Sequence, residues 1–336
     1  MNAITPASAS MAALVESANE YLVAAYGTGT QEKYRSGQRH YDQWCDEHGV
    51  SPLSGDPKQV ALYAVACAKM GHAFSTINVR MAAIAEAHRL AGIHLNRDDA
   101  ILSKTLKDIA STHGRAPKRQ VEPATASKLR LMLTHCKPHT TPMGARDRAM
   151  LLIGFGAALR RSELSDLLIR DAKPLARKGS LEALEITIRR SKTDQTGQGR
   201  RVTILANPDD PEFCAATAFI RWMEHRRRGE DGGKLDRPLF CAIDKAGRLS
   251  CKPIDVMALV YLIKRTAKAA GFNPDDFAGH SLRAGMATTA DEGGAPLTAI
   301  QNHLRHADPR TTARYIRFGD LENNPSAKAF GRGVAV

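Results

Sequence analysis

Much that would mark a membrane, secreted or metal-bound protein is missing from these 336 residues. No apolar run approaches the roughly twenty residues that a membrane-spanning helix needs. Met1 to Ser10 is small and polar, without the charged start of a secretory signal. Cysteine is sparse: Cys45, Cys67, Cys136, Cys214, Cys241 and Cys251 are scattered, with no Cys-x-x-Cys and no paired histidines beside them. That pattern argues against a zinc site or a disulfide framework and reads as reduced thiols in a cytoplasm. There is no internal repeat and no long low-complexity tract.

What the chain does have is positive charge. The formal net charge is +13. Residues 1–115 hold eleven basic and eleven acidic residues, so the entire excess falls in residues 116–336. An acidic protein or a membrane surface could attract such a charge, or it could serve only solubility. Nucleic acid is the commoner partner, because neutralising phosphates releases condensed counterions.

The length suits two domains. Residues 1–10 read as a disordered start. Residues 11–113 read as helices almost throughout, opening with Met11 to Tyr26. Thr30 is expected to cap a second helix with Tyr34, Tyr41, Trp44 and Cys45 on one face. Asp56-Pro57 opens a third, Ser75 caps a fourth ending at Gly92, and a fifth runs from about Asp98 to Ser111. Tyr34, Tyr41 and Trp44 could stack on bases, but their helical spacing reads as core. His88 reads the same way. The outward faces offer Lys33, Arg35, Gln38 and Arg39 on the second helix, with Thr76 and Arg80 on the fourth. These are candidates for DNA contact or simply a solvated face. Residues 114–124 break the pattern with Gly114, Pro117 and Pro123 and carry Lys118 and Arg119. They form either a connector crossing a DNA groove or a plain exposed linker.

Beyond the linker, helices are expected at Thr125–Cys136, Gly144–Phe155 and Leu159–Leu167, the last carrying Arg160 and Glu163 three residues apart. The period then switches to two. Ala183 to Arg189 alternates as a half-buried strand, Gln195 to Gly199 is turn chemistry, and Arg201 to Leu205 is the returning strand. Lys192 lies on that hairpin. Helices follow at Phe213–Arg228, which ends in a basic run that could bind phosphate or favour the helix terminus, and at Ile254–Ala270. His280 and Arg283 are three residues apart, a spacing that puts both on one helix face. Pro296–His303 and Thr311–Phe318 are the final helices, with His306 between them and Tyr315 on the last.

The succession His280-x-x-Arg283, Leu304-x-His306 and Thr311-Thr312-x-x-Tyr315 resembles the C-terminal half of the tyrosine recombinase (phage integrase) family. Ala157 to Leu164 looks like the family's first arginine box, and Arg190 to Asp194 looks like the hairpin bearing its catalytic lysine. Arg305 departs from the pattern, since the family usually has glycine before the second histidine. The resemblance implies a mainly α protein with a small antiparallel β-sheet: an N-terminal helical core-binding domain and an α+β catalytic domain over residues 125–320. It also implies DNA strand transfer without a cofactor. Tyr315 would be the nucleophile, Arg160 and Arg283 the phosphate clamp, Lys192 the general acid, His280 the proton acceptor and His306 a phosphate ligand, with Glu163 orienting the arginine box. The implied partner is double-stranded DNA with inverted core half-sites, bound as a homotetramer on two paired sites, with the free protein a monomer or weak dimer. The tail, residues 321–336, would pack on a neighbouring subunit or fray. With a helix expected to open at Met11, no arm-binding domain is expected ahead of it. Two other classes stay open: a type IB topoisomerase-like enzyme with similar residues, and a DNA-binding regulator without catalysis. The regulator would usually lack one of the boxes.

Overall fold

The computed structural model describes residues 28–114, 121–189, 199–229, 232–313 and 315. It divides into two compact units, Met1–Gln120 and Val121–Val336. The first expected helix, most of the linker with Lys118 and Arg119, the tip of the hairpin with Lys192, and the tail lie outside the described residues.

The first unit contains α1 (Thr28–His48), α2 (Pro57–Lys69), α3 (Phe74–Leu90) and α4 (Ala100–His113). Thr30 does not cap α1, which already begins at Thr28, but the Asp56 cap is present, and Asp99 caps α4 close to its expected start. The Asp56 carboxylate accepts from the Lys58 amide ahead of Pro57, and Asp99 accepts from Ile101 and Leu102. Such a cap stabilises a helix by about 1 kcal/mol. Ser75 does not cap α3. Ala73 does so from an extended backbone, its carbonyl accepting from Thr76 and Ile77, and Ser75 falls inside the first turn. Tyr41, Cys45, Tyr63, Cys67, Ile77 and Ile84 form the core of this unit, and His88 is buried with Nδ1 on the Ile84 carbonyl. Tyr41 is therefore a packing residue, with Trp44 packed against the same core, whereas Tyr34 is half-buried and outside it.

The second unit contains α5 (Ala126–Thr134), α6 (Pro142–Gly156), α7 (Arg161–Ser165), β1 (Ala172–Arg177), β2 (Ser180–Ile188), β3 (Arg200–Leu205), α8 (Ala215–Arg227), β4 (Cys241–Ile243), β5 (Leu249–Pro253), α9 (Val256–Ala269), α10 (Ser281–Glu292), α11 (Leu297–Leu304) and α12 (Pro309–Ala313). Strands β1, β2 and β3 form one antiparallel sheet in that order. Leu184, Ile186 and Ile188 turn inward, as the period-two alternation requires. Strand β1 and the β4–β5 pair were not expected. The core joins α6, α8, α9 and β2 through Leu151, Ile153, Ile186, Trp222 and Ile263.

Helix α10 runs through this unit at close range. A Cβ on Gly285 would lie 1.9 Å from the Ala124 carbonyl oxygen, so only glycine lets the two backbones meet. Ala124 donates to the Ser281 carbonyl at 2.9 Å, and Thr289 accepts from the Ala126 amide at 2.9 Å. Residues 121–124, assigned by composition to the linker, thus pack with the second unit. Flanked by the apolar Val260 and Leu262, Tyr261 reads from the sequence as a core residue. Its neighbours Val260 and Leu262 are buried, but it sits on the opposite face of α9 and is 67% exposed.

Candidate active site

Three connections converge on one small region: α6 to α7, the start of α10, and α11 to α12. Arg160 is not inside a helix, as expected, but caps α7 from an extended backbone. Its amide donates to one oxygen of Glu163 at 2.9 Å, and its guanidinium donates to the other at 2.5 Å. Glu163 is buried, and Arg305 donates at 3.1 Å to the same carboxylate oxygen that accepts the Arg160 amide. Burial alone would raise the Glu163 pKa. The Arg160 amide and the Arg305 and Arg160 guanidiniums outweigh it and hold the carboxyl below its ordinary range.

Arg283 is fully buried, its guanidinium donating to the Ala158 carbonyl at 2.5 Å and to the Leu304 carbonyl. Burial, Arg160 and Arg305 all lower its pKa, yet a guanidinium in this setting stays charged. His280 differs from it in exposure. The histidine stands at the N-cap of α10, exposed, while Arg283 one turn later points inward.

His306 follows Arg305 directly. Its Nδ1 lies 2.9 Å from the hydroxyl of the buried Thr312. Its ring stacks on Tyr315 at 5.5 Å between centroids and 24° between planes. Burial first, then Arg283, Arg160 and Arg305, push the imidazole down to about 4, so it is neutral at physiological pH. Helix α12 starts at Pro309, two residues earlier than expected, and Tyr315 follows in a turn with its amide on the Thr312 carbonyl at 2.9 Å. The ring rests on the small apolar cluster of Ala158, Ala287, Ile300 and Leu304, and the Tyr315 carbonyl accepts from Thr288 at 3.3 Å.

The structure therefore groups Arg160, Glu163, Arg283, His306 and Tyr315, with His280 at the edge. Two further members were not assigned a role from sequence. His303 donates from Nε2 to the Gly156 carbonyl at 2.8 Å, tying α11 to the end of α6. Arg305 is the other, and its only signal was the missing glycine. Among the DNA-contact candidates, Lys33, Arg35, Arg39 and Thr76 are exposed. Arg80 is half-buried, and its guanidinium donates to the Cys67 sulfur at 3.3 Å, inside the helical unit rather than away from it. In the basic run, Arg226 is buried and donates to the Pro238 carbonyl at 3.1 Å. Among the described residues, no group of three or more His, Cys, Asp or Glu could hold a metal ion, and no helix is long and apolar enough to cross a membrane.

Arg160, Arg283, His306 and Tyr315 thus lie close together in a mostly helical unit. Residues 124–321 match the sequence model described as the phage integrase family, and the chain belongs to that family, the tyrosine recombinases. The integrase/recombinase xerD homolog of Selenomonas ruminantium is 28% identical over 308 residues, 90% of this chain and 86% of that protein. The tyrosine recombinase XerD of Xanthomonas campestris pv. campestris is 32% identical over 179 residues, 52% of this chain and 49% of its own length. Among solved structures, the Tn1549 transposon integrase in complex with transposon right-end DNA superposes with a TM-score of 0.61 at 18% identity, covering 93% of this chain and 95% of that one. The XerH recombinase bound to a palindromic difH substrate gives 0.53 at 17% identity, over 82% and 70%. These likenesses to solved structures establish the fold.

Proposed function

We propose that the chain cleaves and rejoins double-stranded DNA at specific sites through a covalent bond to Tyr315. The observation that carries this reading is the placement of Tyr315 and His306 as a stacked pair beside the Arg160 and Arg283 guanidiniums. In-line attack on a phosphodiester develops negative charge on the non-bridging oxygens. Two fixed guanidiniums stabilise that charge without reorganising at the moment of reaction. Glu163 keeps Arg160 aimed and offsets part of the mutual repulsion among Arg160, Arg283 and Arg305.

Tyr315 attacks phosphorus, forming a 3′-phosphotyrosyl bond as the bond to the 5′ oxygen breaks. His280 takes the phenol proton, and Lys192 donates a proton to the leaving 5′ oxygen. With Thr312 donating to Nδ1 of His306, the neutral imidazole carries its proton on Nε2 and can donate it to a phosphate oxygen. The covalent bond keeps the phosphoester energy, so the 5′-hydroxyl of a second duplex can reverse the step and exchange strands. Recombination needs two duplexes in one complex, and a tetramer on two paired sites of inverted half-sites supplies four tyrosines for four strands. The exposed Lys33, Arg35, Arg39 and Thr76, together with Lys118 and Arg119, are proposed to touch the DNA backbone.

A plasmid carrying two copies of the site flanking the gene separates this reading from simple relaxation. Recombinant products with the tyrosine intact, formed in the presence of excess chelator, are expected. Relaxed plasmid without recombinants would mark a topoisomerase-like enzyme, and binding without any cleavage would mark a regulator.

A further inference from the structure

Arg305 ends α11 in the left-handed region, at φ 58° and ψ 41°. Glycine is the ordinary choice there because a Cβ is disfavoured. The side chain in this protein is instead a buried guanidinium whose four terminal N–H groups each have an acceptor. Nη1 donates to the Ala157 carbonyl at 2.9 Å and the His303 carbonyl at 3.1 Å. Nη2 donates to the Ala158 carbonyl at 3.0 Å and to Glu163 at 3.1 Å. These acceptors come from the end of α6, from α7 and from α11. Ala158 is itself left-handed, at φ 47°, and its carbonyl also receives Arg283 at 2.5 Å. Two disfavoured backbone turns are thus bonded to each other at the point where Arg160, Arg283 and His306 meet. Strained residues of this kind persist only where their surroundings over-determine them.

We propose that Arg305 is a positioning residue for strand transfer, locking the Arg160–Glu163 pair and the turn that presents His306 into one rigid piece. It bonds neither Arg160 nor His306 through its side chain. It acts through Glu163 and through the α6–α7 backbone. This rests on the reading of Arg160 and His306 as phosphate ligands. A glycine would make the same turn more easily but would leave Glu163 held by Arg160 alone. A lysine would keep the charge, but its single ammonium cannot reproduce a planar fork serving four acceptors.

The test uses the full-length protein and a nicked suicide duplex carrying the inverted half-sites mapped beside the gene. Single-turnover cleavage and half-saturation are measured for Arg305→Gly, Arg305→Lys, Glu163→Gln, the Arg305→Gly/Glu163→Gln double variant, and Arg160→Ala. Misplacing a phosphate ligand by about 1 Å costs roughly 10²-fold in rate, so a loss of that order at saturation is expected for Arg305→Gly, with half-saturation nearly unchanged. The double variant should be slowed by clearly less than the product of the two single losses, because both changes break the Arg305–Glu163 link. Losses that multiply in the double variant, or that fall on half-saturation as much as on rate, would show a merely structural residue and overturn the proposal. Wild-type cleavage by Arg305→Gly, with Arg160→Ala inactive, overturns it while leaving the clamp intact. Normal cleavage by Arg160→Ala removes the clamp reading itself, and the proposal with it. Should Arg305→Gly fail to fold, Arg305→Lys decides: slow cleavage by a folded protein supports the role, and wild-type cleavage refutes it.

Discussion

Replacing Glu163 with glutamine changes one oxygen to nitrogen at a buried position, so packing is preserved while the charge is removed. The carboxylate accepts from the Arg160 amide at 2.9 Å, the Arg160 guanidinium at 2.5 Å and Arg305 at 3.1 Å. An amide keeps one acceptor oxygen, and its NH2 must face a guanidinium that has nothing to accept with. Removing one partner of a buried pair costs about 3–5 kcal/mol. The retained acceptor returns part of that, leaving an expected loss of about 3 kcal/mol for the catalytic unit. The pH dependence provides a sharper signature. Glu163 has a pKa below its ordinary 4.5 in the folded protein, because the Arg160 amide and both guanidiniums outweigh burial. A depressed carboxylate pKa stabilises the fold above the unfolded value and loses that contribution as pH falls through the folded one. In urea melts, the gap between wild type and Glu163→Gln should therefore be widest above about pH 4.5 and close progressively below it. A gap that stays constant with pH, or a variant as stable as wild type at pH 7, would refute the account of Glu163.

Gly285→Ala should destabilise the catalytic unit by about 3 kcal/mol, because its Cβ meets a backbone carbonyl at 1.9 Å that no rotamer change can clear. An unchanged urea midpoint would contradict that close approach. His306 is held down at about 4 from 6.5, so it destabilises the fold as pH falls through that window and not above it. The shift corresponds to roughly 3 kcal/mol, reduced to about 1 kcal/mol by the partial exposure of the ring. Imidazole resonances of His306 that titrate above pH 6 in the free protein would contradict its burial beside the three guanidiniums. Lys192→Ala should regain much of its cleavage rate on DNA whose bridging 5′ oxygen is sulfur, since a thiolate leaves without a proton. Arg283→Ala should regain little, and equal rescue of both would remove Lys192 as the acid.

The chemistry-bearing residues were legible in the sequence because each box has its own spacing, and the structure brings five of them together. Their backbone settings were less legible. Arg160 and His280 both stand at helix caps, where periodicity stops carrying information. Arg283 turns inward onto the Ala158 and Leu304 carbonyls, acceptors far away in sequence that its own spacing cannot reveal. Strand β1 escaped notice because Lys173, Pro174 and Arg177 break any alternation, and it is recognisable only through its pairing with β2. Strand β4 is too short for a period to register, with three residues. Tyr261 shows the converse failure: apolar neighbours in sequence sit on a different face of the helix. Arg305 was visible only as a departure, and what replaced glycine's conformational freedom was a set of side-chain bonds to residues nearly 150 positions earlier, which no local pattern encodes.

The central claim is that Tyr315 is the nucleophile. A nicked suicide duplex bearing the recombination site traps the protein–DNA adduct, and peptide mapping of that adduct identifies the residue. Tyr315→Phe deletes one oxygen from a ring resting on Ala158, Ala287, Ile300 and Leu304, so melting and DNA affinity should hold while trapping disappears. The account predicts an adduct on Tyr315 and none in the Tyr315→Phe variant. An adduct on any other tyrosine, or undiminished trapping by Tyr315→Phe, would contradict it.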